Sequence, residues 1–170
     1  MTREQEHEAV PSAEGAHRAF QSFQRSVADG GVLVEDERGH VWIEEYLVDP
    51  PSHILNGFIW ALWGVYDFAR WTGAAEAMNL WKTCLRTLEA RLDDFDTGWW
   101  SLYESPAGAT RMLASRYYHT LHITQLRVLH RLSGVEAFAD RAERFEGYLH
   151  NRSYRLRAFA GKALFKLSHY

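Results

Sequence analysis

Cysteine occurs once in the 170 residues, at Cys84, so no internal disulfide can form and nothing in the chain calls for an oxidising compartment. Long apolar runs are missing as well. The densest, Phe58 to Tyr66, is roughly half of the ~20 residues a membrane helix needs, and Asn56 and Asp67 flank it. Met1 to Gly15 carries Glu4, Glu6, Glu8 and Glu14 with no apolar core, which argues against a secretory leader. These absences lead to the expectation of a cytoplasmic protein without membrane contact. No phosphate-cradling glycine loop, nucleophile elbow, zinc ribbon or helix-turn-helix signal occurs either, which leaves the common nucleotide, hydrolase and DNA-binding signatures unmatched.

What is present is a globular composition, 46% hydrophobic and 24% charged, enough for one domain with a buried core. Seven Trp, eight Tyr and nine Phe exceed what one small core normally takes, so some are expected to line a cleft. A net charge of −3 hides an asymmetry: residues 1 to 110 hold 8 basic and 18 acidic side chains, residues 111 to 170 hold 11 and 4. A basic C-terminal third suits an anionic partner, whether acidic polysaccharide, nucleic acid or phosphorylated head group, and is equally what solvated helix faces give.

Residues 1–11 read as a polar, flexible N-terminus. Ala16, Phe20, Phe23 and Val27 then recur at helical spacing, with Ser12 as N-cap and Gly30-Gly31 as the stop. Val32 to Val34 and His40 to Ile43, around the turn Asp36-Glu37-Arg38-Gly39, predict a small β-hairpin near residues 32–46. After Pro50-Pro51, Ser52 offers a cap for a helix with a broad apolar face from Ile54 to Ala69, ending at Gly73, and residues 74 to 92 form an antiparallel partner. The period vanishes between Asp93 and Ser115, a structured loop rich in aromatics. It returns over Tyr117 to Ser133, Val135 to Leu149 and Tyr154 to Ser168. The fold class is mainly α, built from helix pairs in sequence.

Three segments carry a resemblance: Trp42-Ile43-Glu44-Glu45-Tyr46 with Leu55-Asn56-Gly57-Phe58 and Gly64-Val65-Tyr66-Asp67; Asp96-Thr97-Gly98 to Tyr103; and Tyr118-His119-Thr120-Leu121-His122-Ile123-Thr124-Gln125-Leu126. In order and spacing they resemble the C-terminal catalytic domain of D-glucuronyl C5-epimerases, over residues 30 to 150. The resemblance implies that 12–170 is an α/α toroid-like domain which binds a uronic-acid polysaccharide such as heparosan and inverts carbon 5 of glucuronate, with no organic cofactor and no metal. It places the chemistry on Tyr118, Tyr103, Tyr46 and Glu45. The substrate-binding set expected with them is Asn56, Trp99, Trp100, Arg111, Arg116, His119, His122 and Gln125. The partner it implies is an acidic polysaccharide, not nucleic acid or membrane.

The chemistry suits these residues. Inverting a carbon beside a carboxylate removes a proton on one face and returns one on the other, so two acid/base groups must flank the sugar. A free phenol, with pKa about 10, donates well but is a poor base at neutral pH. One tyrosine should therefore be made more acidic, and His119, His122 or Arg116 could do this. The substrate carboxylate also needs a neutralising cation. Here the chain departs from the eukaryotic members, which continue from the loop tyrosine with Asp-Leu-Arg; Glu104-Ser105-Pro106 stands there instead, leaving Arg111 or Arg116 to supply the charge. Six helices are also fewer than a closed toroid uses, so the expectation is an incomplete toroid, a fragment or one finished by another copy or a second chain.

Other readings stand beside these. Tyr66 and Tyr148 lie on apolar stripes and read as core. His119 and His122 are three apart, near a metal-ligand spacing, but no third ligand motif joins them. One reads as orienting a tyrosine and the other as a satisfied interior histidine. If Glu44 to Tyr46 continued a strand, Glu44 and not Glu45 would share a face with Tyr46. Trp99 and Trp100 could stack on sugars or cap the core.

Overall fold

The computed structural model describes residues 3–105 and 112–169, and it is mainly helical with one small antiparallel sheet. Helix α1 (Arg3–Ser22) starts well before Ser12, where a cap was expected; the run ahead of it holds Glu4, Gln5, Glu6 and Glu8, all good helix formers. It also stops before Val27. The chain instead turns into a short 3-10 segment, Val27–Asp29, capped by Ser26, whose Oγ accepts from the Asp29 N–H. Gly31 permits the return crossing: a Cβ there would lie 2.2 Å from the Arg25 carbonyl oxygen.

Strands β1 (Leu33–Glu35) and β2 (Val41–Ile43) form the expected hairpin, pairing Leu33 with Ile43 and Glu35 with Val41. Asp36 builds its turn, Oδ1 accepting from the N–H groups of Arg38 and His40 at 2.9 and 3.0 Å. β2 also docks sideways, because the Val41 N–H donates to Thr87 Oγ1 on α3.

Helix α2 (Leu55–Thr72) and helix α3 (Ala75–Arg91) are the first antiparallel pair, joined through Gly73, which takes φ 71° and donates its N–H to Ala69 O. Ser52 does not cap α2. Its Oγ is buried without a partner, and the cap position falls to Ile54, while the Leu55 N–H is satisfied by the carbonyl of Tyr103 from the distant loop. The loop takes over a job usually done by a local side chain, so it is fastened to the start of α2.

Helices α4 (Arg116–Ser133), α5 (Glu136–His150) and α6 (Arg152–His169) follow, with Ser115 capping α4 and Gly134 in the left-handed conformation ending it. The α2–α3 and α4–α5 pairs meet through α2 and α4. Between them Trp42, Leu55, Phe58, Leu62, Leu88, Phe95, Leu126, Phe138 and Phe145 fill one core. Tyr148 belongs to that core, and half-buried Tyr66 packs against it beside Trp81, as their stripes predict. No helix among the described residues is long and apolar enough to cross a membrane.

Candidate active site

The loop between α3 and α4 is held at both ends. At its start Asp96, only 7% exposed, accepts from Arg141 Nη1 at 2.9 Å and from the Tyr148 hydroxyl at 3.1 Å, and its Oδ1 also takes the Gly98 N–H at 2.7 Å. Asp93 makes a close ion pair with the same guanidinium. Thr97 Oγ1 then bonds both the N–H and the carbonyl of Trp100, closing a tight turn. At its far end the Trp100 indole N–H donates to Ala114 O, and the Tyr103 N–H donates to Met112 O at 2.8 Å. These bonds fix the backbone that carries Ser101 and Tyr103.

Beneath the loop lie His119 and His122, both fully buried. The Phe145 carbonyl can only accept, so His119 donates to it from Nε2 at 2.9 Å, and its Nδ1 accepts from the Ser101 N–H and hydroxyl. The Ser101 oxygen is then left to accept from His122 Nδ1 at 3.0 Å. Burial pushes His119 down to about 4 and His122 to about 3, the latter helped by its neighbour, so both are neutral at physiological pH. Neither can act as a cation that acidifies a tyrosine, and neither can touch a substrate. They support the loop from below instead. Their partner Ser101, fully buried within the Asp96 to Tyr103 segment, had no signal of its own in the sequence.

Above this floor the expected catalytic residues converge. The Tyr103 ring meets Tyr118 edge to face, with centroids 4.8 Å apart. Burial first, then the Glu45 charge, then the charge and hydrogen bond of Tyr118, and last Tyr46, hold the Tyr103 hydroxyl protonated well beyond the ordinary phenol range. Glu45 and Tyr46 are thus near enough for their charges to bear on the Tyr103 hydroxyl, with Tyr46 itself 55% exposed. The strand ends at Ile43, so the alternation that would have turned Glu45 away from Tyr46 does not apply.

Two features set Glu45 there. Glu44 is buried and bonds His53 through both the ring Nδ1 and the backbone N–H, which holds His53 at φ 46° against the stacked Trp42 ring. That bond pins the base of the exposed 45–50 segment. On the facing helix, Gly57 leaves room for the carboxylate, since a Cβ at Gly57 would stand 2.1 Å from Glu45 Oε2. Sequence reasoning passed over His53 and the purpose of Gly57, although a glycine inside the first turn of a helix is itself a sign of close approach.

The expected substrate-binding set divides. Trp100 is 1% exposed and stacked on His119 at 3.8 Å, so it caps the core and offers no free face for a sugar. Gln125 is fully buried, its Nε2 donating to the Asn56 carbonyl, and Asn56 is buried as well; the two tie α4 to α2 and do not line an open surface. Half-buried Trp99 has one face covered by the Arg157 guanidinium, 4.0 Å from the ring centroid. Arg116 is exposed at the first turn of α4. Arg111 lies outside the described residues. Glu104, directly after Tyr103, is half-buried and raised by desolvation against the opposing pull of Lys162. Among the described residues no cluster of three or more His, Cys, Asp or Glu is arranged to hold a metal ion.

The sequence that builds this site is similar to that of known proteins. The chain is 32% identical over 126 residues to an uncharacterised protein of Methanocaldococcus jannaschii, covering 72% of this chain and 40% of that one. It is 30% identical over 152 residues to a D-glucuronyl C5-epimerase of Caenorhabditis elegans, covering 81% of this chain and 24% of the relative. The chain thus spans well under half the length of either. A family model described as the D-glucuronyl C5-epimerase C-terminus matches residues 13–147, a stretch that takes in the hairpin, the loop and both tyrosines. The chain belongs to the D-glucuronyl C5-epimerase C-terminal domain family.

Proposed function

We propose that this chain carries the acid/base centre of a uronyl C5-epimerase, inverting carbon 5 of D-glucuronate in an acidic polysaccharide such as heparosan or its N-sulfated form. The observation that carries this reading is the meeting of Tyr103 and Tyr118 beside Glu45 and Tyr46. In the reaction an acceptor removes the C5 proton. The electron pair of that C–H bond moves into the C5–C6 bond to give an enediolate, and a donor on the opposite face returns a proton to C5.

Tyr103 suits the donor, because burial and the Glu45 charge keep its hydroxyl protonated. Tyr118, whose ring meets that of Tyr103 edge to face, takes the acceptor role. After one inversion Tyr118 has gained a proton and Tyr103 has lost one; a proton passing from Tyr118 back to Tyr103 restores both. A sugar carbon seated between the two hydroxyls must first part them. We assign to Arg116, exposed in the first turn of α4 two residues before Tyr118, the balancing of charge that grows on the substrate carboxylate.

The test is exchange at carbon 5. The protein is incubated with heparosan or N-sulfated heparosan in heavy water, and deuterium at C5 together with iduronate is read by NMR. Both should appear, and a folded protein that gives neither with any uronic-acid polymer sinks the reading.

One observation favours a second reading, a non-catalytic polysaccharide-binding module or subunit. Pro106 stands where the family's Asp-Leu-Arg run would set its arginine, so the cation that would help neutralise a substrate carboxylate is missing from that position. Under that reading heparosan binds, no C5 exchange occurs, and Tyr118→Phe leaves affinity unchanged.

A further inference from the structure

The match to the family ends at residue 147, and α6 lies wholly beyond it. This helix packs over the end of the catalytic loop, where the Lys162 ammonium donates to Leu113 O at 3.1 Å, and together they enclose a cavity of about 550 Å3. Such a volume falls within the ~300–1,000 Å3 typical of small-ligand sites. Three guanidinium groups line it: Arg116 from the first turn of α4, and Arg152 and Arg155 from α6. Among the described residues none of the three makes an ion pair. Lys162 also lines the cavity but differs, because its charge is set against Glu104.

The remaining wall is apolar. Leu156 and Phe159 line the cavity yet are 71% and 76% exposed, an unusual position for large apolar side chains on a helix that could have turned them inward. Trp100 forms part of the back wall. The ligand chemistry that fits is a ring with apolar C–H faces and an anionic, planar substituent, since a guanidinium fork pairs two N–H groups with a carboxylate. The cavity is also built on the same two segments as the tyrosine pair: Trp100 is three residues before Tyr103, and Arg116 two before Tyr118.

We propose that this cavity is a subsite for a second uronate residue of the polymer, flanking the sugar held at Tyr103 and Tyr118; it rests on the polysaccharide reading above. Arg152 and Arg155 take the carboxylate, and Leu156 and Phe159 take a ring face. The subsite gives the chain a preference for polymer over short fragments and for carboxylated over neutral chains.

The test uses the full chain and the double variant Arg152→Gln/Arg155→Gln, with circular dichroism as the fold control and Arg155→Lys as a second variant that keeps the charge and loses the fork. Binding of a heparosan octasaccharide, a disaccharide and the carboxyl-reduced octasaccharide is followed by calorimetry. The double variant should bind the octasaccharide at least about tenfold more weakly, with the disaccharide and the reduced octasaccharide unchanged, and Arg155→Lys should fall between. Equal octasaccharide affinity in wild type and double variant overturns the subsite, as does an equal loss for the reduced chain. Exchange at C5 separates this outcome from that of the function itself. Exchange with an unaltered KM in the double variant removes the subsite alone. Absence of exchange alongside the tenfold binding loss leaves the subsite standing and removes the epimerase.

Discussion

Tyr103 and Tyr118 belong to different elements, a loop and the first turn of a helix, yet their rings meet edge to face at 4.8 Å. The contact depends on two anchors. Tyr103 is fixed by its own backbone, which bonds Met112 and the first N–H of α2, and Tyr118 is fixed by the Ser115 cap at 3.3 Å. Replacing either phenol with phenylalanine keeps the ring and removes the oxygen. Each single variant should lose about 10²- to 10⁴-fold in C5 exchange, the range for losing one acid or base, while unfolding midpoints stay near wild type. Steady-state exchange and thermal melts on the same samples check both halves.

Gly57 and Glu45 give a second prediction in which stability and activity part. Gly57→Ala should favour helix by up to about 1 kcal/mol on propensity alone. The new methyl, however, occupies the space of the Glu45 carboxylate and crowds its Cβ at 3.0 Å, so Glu45 must move. Activity should fall by about tenfold or more, as expected when a positioned group shifts by an ångström, with stability held or slightly raised. Paired melting and exchange measurements read the two signs separately.

His119 and His122 make stability depend on pH. Both are depressed in the folded protein, to about 4 and about 3, so above the unfolded value near 6.5 they are neutral in both states and contribute nothing. Below 6.5 the unfolded chain takes up protons that the folded chain refuses. Stability therefore falls as pH drops from about 6.5 toward 4, by roughly 2 kcal/mol per histidine at pH 5. Denaturant titrations at pH 7.5, 6 and 5 should show the decline begin near 6.5, and a flat profile would contradict the buried, neutral assignment.

Arg141 is the main anchor of the loop. It is nearly buried and binds Asp96, itself 7% exposed, so Arg141→Ala leaves a buried carboxylate with its chief cation gone. The cost should be about 3–5 kcal/mol, visible as a large fall in the unfolding midpoint. Arg127→Ala, which breaks an exposed pair with Glu146, serves as the comparison and should cost under about 1 kcal/mol.

The elements were legible in the sequence because apolar periodicity and glycine stops are local. Gly73 and Gly134 end their helices as read, and the hairpin sits where its β-branched residues and turn placed it. What failed depended on distant partners. Ser52 looked like a cap, but the Tyr103 carbonyl reaches the first N–H of α2 instead. Trp100, His119, His122 and Gln125 look alike whether they face a ligand or a core, and only packing reveals that they form the floor of the site. The grouping of Glu45, Tyr46, Tyr103 and Tyr118 followed from a resemblance spanning three segments; no local pattern would have joined them.

The most direct measurement is deuterium incorporation at carbon 5 of N-sulfated heparosan, run for wild type and Tyr118→Phe side by side in heavy water. The account predicts incorporation with wild type and its loss by about 10²-fold or more in the variant, both proteins folded. Equal incorporation in the two would contradict the role given to Tyr118, and none in the wild type would contradict the proposed reaction.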